Sequence, residues 1–285
     1  MKTVGSTTAL VGKWHLGLGS ATEPLDWNHA IKLGPRELGF DYSFHMAATG
    51  DPGPIVYLEN GYSARLDPAD LVSVSYAGPV GEDPTGLSHP HLLKNQADEQ
   101  HAKTFVDGTS RIGWMDGGED ARWADEEMPD EFPSKAIDFI TENQAKPCFM
   151  FYAVHENHVL RIPHPRFHGS TSLGVRGDAV VQMDWASGRI METLADLGLT
   201  ENTMIIFSSD NGPVLLDGYY DGAWEMNGDH QPTGPCMGQI QRRGRQHPDA
   251  DDPKLAGHRQ AGALRWDRQS GRSAWRPNSD GLRRR

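Results

Sequence analysis

Cysteine is scarce in this sequence, with two residues among 285. Cys148 lies in an apolar run and Cys236 follows Gly234 and Pro235. Two cysteines cannot build a disulfide framework, which excludes the small secreted domains that depend on several disulfides. We interpret both residues as inert thiols.

Long apolar runs are also missing. No segment approaches the length of about 20 residues that a membrane-spanning helix needs, and no apolar stretch follows Met1, Lys2 and Thr3 to form a signal peptide. The net charge of −12 argues against nucleic acid or an anionic membrane as the main partner. We therefore predict neither nucleic acid nor a membrane as a partner.

Positive charge is concentrated at the C-terminal end. Residues 238–285 carry twelve Lys and Arg against five Asp, whereas residues 1–237 carry 15 basic and 34 acidic side chains. The C-terminal segment has few aliphatic residues, so it cannot bury enough surface to offset the entropy of ordering it. We predict a globular domain over 1–237 and a basic tail of low order over 238–285. We hypothesise that the tail is an out-of-frame reading of the gene; a nucleic-acid-binding arm is the alternative.

The apolar patterns alternate between strands and helices. Strands are predicted at 8–11, 55–58, 149–154 and 203–207, and helices at 135–143 and 179–197. Ser134 is the predicted cap of the first helix, Gly198 is the predicted stop of the second, and Asn60-Gly61 predicts a turn. Strand, helix and strand from 149 to 207 predict a right-handed crossover, and so an α/β fold with a mostly parallel sheet.

A lysine and a histidine lie two residues apart in the Gly-Lys-Trp-His-Leu-Gly run at 12–17. Lys13 and His15 follow the first predicted strand, and side-chain alternation places both on one face. The carboxyl end of a strand is where α/β enzymes hold their sites, and this pair suits an anionic substrate. The alternative is a surface lysine beside a core tryptophan.

A carboxylate and an amide follow the predicted strand 203–207. Asp210 and Asn211 come before a Gly-Pro turn. Their side-chain oxygens are hard ligands of the kind that Ca²⁺ or Mg²⁺ takes. Asp-Asn-Gly is also a common turn sequence, so a plain turn is the alternative.

Histidines cluster at 155–168, directly after the predicted strand 149–154. The crossover topology places this loop at the same sheet edge as Asp210 and Asn211. His155 and His158 have the spacing of a zinc pair, but no further ligand follows at the usual distance. We interpret three of these residues, His155, His164 and His168, as ordinary loop histidines.

Three segments, taken in their order along the chain, resemble the sulfatases of the alkaline-phosphatase-like superfamily. They are the run at 12–17, the segment 155–167 and the Ser-Asp-Asn-Gly run at 209–212. The segment 34–42 is similar to the sulfatase sequence that follows the Lys-His motif, so the resemblance extends over about residues 7–235. It implies an incomplete alkaline-phosphatase-like fold, with helices flanking the sheet. It also implies hydrolysis of sulfuric esters, with a sulfated small molecule or carbohydrate as substrate.

The resemblance implies a role for each matching residue. Lys13 binds sulfate and steadies the nucleophile, and His15 takes the proton when the covalent sulfate is expelled. His158 contacts sulfate and helps to protonate the leaving oxygen. Asp210 and Asn211 are expected ligands of Ca²⁺, or of Mg²⁺.

The family's nucleophile has no counterpart here. Related enzymes oxidise a Cys or Ser within Cys/Ser-x-Pro/Ala-x-Arg to formylglycine, several dozen residues before the Lys-His motif. Only eleven residues precede Gly12, and the sequence contains neither this motif nor the family's acidic pair. The family's later Gly-Gly-Lys segment is missing as well. We therefore expect a chain truncated at its N-terminus and inactive as written.

Other functions stay open. A non-catalytic remnant, or a module that binds a metal or an anion, is one alternative, and a related phosphodiesterase is a weaker one. The Gly-Lys-Trp-His run favours sulfate over phosphate. Related enzymes are commonly exported to the periplasm, the cell exterior or the lysosome.

Overall fold

The computed structural model describes residues 5–230 and, beyond them, the backbone of three short strands at 241–242, 262–267 and 272–277. Cys236 and most of the basic tail over 238–285 lie outside the described residues. The boundary after 237, the low order of the tail and its out-of-frame origin therefore stay predictions.

The described elements alternate between strands and helices, and the α/β fold class is confirmed. In chain order the strands are β1 (Thr7–Lys13), β2 (Tyr42–Met46), β3 (Tyr57–Glu59), β4 (Tyr62–Ser63), β5 (Ser73–Ser75), β6 (Phe105–Val106), β7 (Thr109–Ser110), β8 (Trp114–Asp116), β9 (Cys148–Ala153), β10 (Val214–Leu216), β11 (Gln241–Arg242), β12 (Gly262–Asp267) and β13 (Arg272–Pro277). The α-helices are α1 (Met128–Glu142), α2 (Gly174–Asp196) and α3 (Ala223–Asn227).

A five-stranded sheet in the order β4-β3-β2-β1-β9 forms the centre of the molecule. β1 pairs in parallel with β2 on one side and with β9 on the other. β3 is antiparallel to both β2 and β4, so the sheet is mixed and its parallel part comprises three strands. Ala9, Leu10 and Val11 of β1 are fully buried, as expected for a central parallel strand covered on both faces.

The predicted Asn-Gly turn connects β3 and β4. Asn60 and Gly61 have φ angles of 53° and 87°, which are the two left-handed residues of a type I′ hairpin turn. The strand predicted at 55–58 lies slightly too early, because the hydrogen-bonded pairing with β2 begins at Tyr57. The following excursion carries two small antiparallel pairs, β5 with β8 and β6 with β7.

Both predicted helices are present, but they begin earlier than predicted. α1 begins at Met128 with Pro129 in its first turn, so Ser134 lies inside the helix and does not cap it. Proline is tolerated there because a first-turn N–H has no intrahelical partner to lose. α2 ends at Asp196, and Gly198 beyond it has a φ of 70°, which agrees with the predicted left-handed stop.

The main hydrophobic core lies where α1 and α2 pack on the sheet. The ring of Phe44 lies 4.8 Å from that of Tyr57 and 5.9 Å from that of Phe132, measured between centroids. Other buried members of this cluster from the sheet and the two helices are Val11, Met46, Ala136, Ile140, Ile190 and Leu194. The helices thereby fix one face of β1, the strand that leads to Lys13.

The prediction of a buried strand at 203–207 is wrong, because the described residues form no such strand there. Apart from a single bridge at Phe207, the segment is not assigned to a strand, and the side chains of Met204 and Ile206 are 85% and 74% exposed. A strand needs a neighbour to complete its backbone hydrogen bonds. β9 is the edge strand on that side of the described sheet and takes no partner from this segment.

Among the described residues, no helix combines the length and the apolar character that crossing a membrane requires.

Candidate active site

A close approach between β1 and β9 positions the start of the site. Gly12 pairs with Ala153 in register, and its φ is 110°. A Cβ atom on Gly12 would lie 2.0 Å from the carbonyl oxygen of Ala153, a distance that no side chain tolerates. The glycine therefore lets the strand that ends at Lys13 lie against the strand that leads into the histidine loop.

His15 lies outside the strand on which it was predicted. β1 ends at Lys13, and His15 has a left-handed φ of 51°. Two further backbone bonds, from Trp14 N–H to Met46 O and from His15 N–H to Ala47 O, extend the pairing past the strand. Because the left-handed residue breaks the alternation, the prediction that Lys13 and His15 share one strand face is wrong. The side chain of His15 is exposed.

Lys13 meets Asp210 across 197 residues of sequence. The Lys13 Nζ donates to Asp210 Oδ2 at 3.2 Å, with 19% of the lysine side chain and 69% of the aspartate side chain exposed. Burial acts to raise the pKa of Asp210, but the charge and hydrogen bond of Lys13, joined by hydrogen bonds from the backbone N–H groups of Asp210 and Asn211, lower that pKa below its ordinary value. Asp210 is therefore ionised at neutral pH.

Asp210 and Asn211 do not make a complete calcium site among the described residues. The Asn211 side-chain N–H donates to Gly212 O at 2.7 Å, which leaves its amide oxygen for another contact. Two oxygen ligands fall short of the roughly six to eight that Ca²⁺ takes. Within the described part of the chain, no group of three or more His, Cys, Asp or Glu side chains is arranged to hold a metal ion.

A turn places His155 and His158 beside each other. The N–H of His158 donates to the carbonyl of His155 at 2.8 Å, and the two imidazole centroids lie 5.6 Å apart with a 33° angle between the rings. The Nδ1 of His158 contacts the carbonyl of Val159. A carbonyl only accepts, so Nδ1 of His158 carries a proton and Nε2 is the atom left for chemistry.

His155 is buried and neutral. Its Nε2 accepts the backbone N–H of Gly50 at 2.8 Å, which requires an unprotonated Nε2 and puts the proton on Nδ1. Burial lowers the pKa of His155 well below its ordinary value, and the nearby charges of His158, Lys13 and Arg111 add to this shift. Because Nε2 is occupied, the zinc-pair interpretation of His155 and His158 loses one ligand atom.

Arg111 anchors the other side of this contact. It is 2% exposed, donates to the carbonyl of Gly50 at 3.0 Å, and pairs with buried Asp125 at 2.6 Å. Sequence analysis missed Gly50, Arg111 and Asp125, because they carry no local motif and come from separate loops.

The structure thus brings together residues from three distant segments. Lys13 contacts Asp210 directly, and its charge acts on His155, whose ring lies against His158. Asn211 is the direct neighbour of Asp210, whereas His15 stands on the exposed loop after β1. His164 and His168 make local contacts, with Arg166 N–H and Pro163 O respectively, as ordinary loop histidines do.

Comparison with known proteins gives one consistent result. A family model described as Sulfatase matches residues 1–252. An N-acetylgalactosamine-6-O-sulfatase of Bacteroides thetaiotaomicron is 46% identical over 238 residues, which is 84% of this chain and 46% of the relative. An N-acetylgalactosamine-6-sulfatase of Rattus norvegicus is 34% identical over 224 residues, covering 78% of this chain and 33% of the relative.

A solved structure agrees in fold as well as in sequence. It comes from work on the metabolism of multiple glycosaminoglycans by Bacteroides thetaiotaomicron, and it matches with a TM-score of 0.79 and 46% identity over 82% of this chain and 48% of the other. The chain spans about half the length of these Bacteroides relatives. On the match of the family model and these identities, the chain belongs to the sulfatase family.

Proposed function

We propose that this protein recognises sulfate esters of carbohydrates through the site at Lys13, and that it represents a sulfuric ester hydrolase. The observation that carries the proposal is the 3.2 Å contact between Lys13 and Asp210, which joins two sulfatase-like motifs 197 residues apart. Membership of the family and the name of the Bacteroides relative support the reaction class and a 6-O-sulfated N-acetylgalactosamine as the substrate to test.

Lys13 is the proposed sulfate-binding cation. It is the last residue of a strand whose five central residues are buried, so its backbone is fixed, while its side chain is 19% exposed and reaches the surface. A partly buried ammonium attracts an anion more strongly than a fully exposed one, because less water screens it. A bound sulfate would share the ammonium with Asp210.

Two histidines are proposed to move protons. Nε2 of His158 is the free ring nitrogen, since Nδ1 is held by the carbonyl of Val159. In the proposal this Nε2 contacts sulfate and, when the ring carries a second proton there, gives that proton to the leaving alcohol oxygen. His15 would take a proton in an enzyme that also held the family's formylglycine, and its exposed position would let it pass that proton to solvent.

Asp210 and Asn211 are proposed to contribute two oxygen ligands to a divalent cation. A sulfate beside Asp210 would place two negative charges around the single ammonium of Lys13, an arrangement that needs further positive charge. This charge balance supports Ca²⁺ or Mg²⁺ at this position. The described residues supply too few ligands for a complete site, and no step of the reaction is assigned to the metal.

The nucleophile is the missing part. No Cys or Ser in the sequence carries the Cys/Ser-x-Pro/Ala-x-Arg motif that formylglycine formation requires in the family, and Cys148 lies on β9, where burial raises the pKa of its thiol. A raised pKa leaves less of the reactive thiolate. We therefore propose that the polypeptide with this sequence binds sulfate esters without hydrolysing them.

The test measures binding and turnover separately. Calorimetric titration with 6-O-sulfated N-acetylgalactosamine, with and without Ca²⁺, is expected to show binding that Ca²⁺ strengthens and that Lys13→Met abolishes. Lys32→Met, a change of an exposed lysine, is the matched control and is expected to bind normally. Released sulfate, measured after co-expression with a formylglycine-generating enzyme, is expected to stay at background.

Either of two results contradicts the proposal. Equal binding by the Lys13→Met and Lys32→Met proteins would remove Lys13 from sulfate recognition. Sulfate release by the unaltered polypeptide would show that a nucleophile outside the family motif is present.

A further inference from the structure

His155 is a buried histidine beside the proposed site, and the roles assigned above do not use it. Its ring is enclosed, with 5% of the residue exposed, and its Nε2 is committed to the Gly50 amide. Its ring nevertheless lies against that of His158, whose Nε2 has no hydrogen-bond partner in the part of the chain that the structure describes. A fixed ring beside a free one can set the orientation of the free one.

We propose that His155 is a positioning residue, held by the Gly50 amide as the neutral Nδ1-protonated tautomer, and that its ring orients the imidazole of His158. The inference rests on the proposed function only for the importance of His158 in sulfate recognition. The fixed tautomer and the ring contact stand on geometry alone.

Two features of the chain hold His155 in place. The first is the hydrogen bond at Nε2, whose donor is itself fixed because the carbonyl of Gly50 accepts from Arg111 at 3.0 Å. The second is shape: a Cβ atom on Gly50 would lie 2.9 and 3.0 Å from the Cε1 and Nε2 atoms of His155. Only glycine allows the imidazole to lie this close to the loop.

The neighbouring charges favour the neutral ring. The cationic groups that act on His155 are Lys13 from β1, Arg111 from the loop after β7, and His158 from its own turn. Among the described residues, the acidic side chain that bonds to His155 is Glu156, which accepts the backbone N–H of His155 through Oε2 at 3.0 Å. Burial raises the pKa of Glu156, so this carboxyl group has a reduced tendency to carry the charge that would stabilise an imidazolium.

A neutral His155 has a consequence for His158. Two imidazoles at 5.6 Å cannot both gain a proton without repulsion. Because the ring of His155 stays neutral, it places no positive charge beside the ring of His158. The ring of His155 also blocks one side of His158, which restricts the directions in which Nε2 can point.

Nitrogen-detected NMR of the histidine side chains tests the tautomer. With ¹⁵N-labelled protein between pH 5 and pH 8, we expect His155 to show the Nδ1–H neutral pattern throughout. A His155 signal that titrates within this range, or one with the proton on Nε2, would overturn the proposal.

Two variants test the positioning. His155→Gln retains an oxygen acceptor for the Gly50 amide but removes the ring, and Gly50→Ala pushes the ring without removing any polar group. Both are expected to weaken the binding of inorganic sulfate about two- to tenfold, the range that corresponds to the loss of one aromatic pair. Binding is measured from the change in the NMR signals of the His158 ring. His91→Gln changes an exposed histidine and is the matched control.

The outcomes separate this inference from the proposed function. Unchanged sulfate binding and unchanged His158 signals in a folded Gly50→Ala protein would refute positioning, even if His155→Gln failed to fold. Sulfate binding that is insensitive to His158→Asn would instead remove the proposed role of His158. The NMR tautomer pattern of His155 would then still report whether the Gly50 amide holds the ring.

Discussion

Gly12→Ala offers a direct test of the contact that brings the two halves of the site together. Two costs combine at this position. An alanine at a φ of 110° lies in a region that L-residues avoid, which costs about 1–2 kcal/mol, and its Cβ would lie 2.0 Å from the carbonyl oxygen of Ala153. Relief of that overlap by movement of β1 or β9 costs about 1–3 kcal/mol more.

Gly198→Ala is the matched control, because it has the backbone cost without the overlap. Gly198 also has a positive φ, of 70°, but a Cβ there would meet no atom within 4 Å. We expect a loss in the free energy of unfolding of about 1 kcal/mol for Gly198→Ala and of about 3 kcal/mol or more for Gly12→Ala.

Urea denaturation followed by circular dichroism gives both values under identical conditions. Because β1 carries Lys13 and β9 leads to His155, we also expect Gly12→Ala to weaken sulfate binding while Gly198→Ala leaves it unchanged. Equal destabilisation by the two substitutions would refute the argument, since it would mean that β1 and β9 are not held this close together.

Three further substitutions test the buried charges and the site. Burial lowers the pKa of His45 to about 4, so the unfolded chain takes up a proton before the folded one and the free energy of unfolding falls as the pH drops from about 6.5 through 4. His45→Phe should flatten this fall in denaturation curves measured from pH 4 to pH 7. An unchanged dependence of stability on pH would contradict the burial argument. Arg111→Met leaves buried Asp125 unpaired and should lower the free energy of unfolding by about 3–5 kcal/mol. The double change with Asp125→Leu should recover part of this loss, and a loss as large as that of Arg111→Met alone would show that the unpaired carboxylate is not its cause. Lys13→Met should raise the pKa of Asp210 in a carboxyl NMR titration, since the lysine now lowers it, and no change would remove the ion pair.

Local patterns predicted much of the backbone correctly. The apolar run before Lys13 is a buried strand, the Asn60-Gly61 dipeptide is a hairpin turn, and Gly198 follows the end of a long helix. Each depends on a preference expressed within a few residues, such as the tolerance of glycine for positive φ. The start of α1 was missed because serine is preferred as a helix cap, whereas Ser134 lies inside the helix in the structure.

The segment 203–207 shows where local preference fails. Its β-branched and aromatic residues favour an extended chain, but a strand also needs a hydrogen-bonding neighbour, and the described sheet ends at β9 without pairing to it. His15 shows the same limit on a smaller scale. The alternation rule held only up to Lys13, where the strand ends, and the left-handed His15 then turned the chain away.

The sequence by itself determined the family, the α/β class and the residues proposed to bind sulfate and metal, because these depend on short motifs in a fixed order. Only the tertiary structure decided that Lys13 contacts Asp210 and that His155 is a neutral, buried ring fixed by Gly50 and Arg111. The physical reason is that charge, tautomer and burial depend on which distant groups surround a side chain. Those neighbours are set by the packing of β1 against β9 and of the loops around them, which no local pattern encodes.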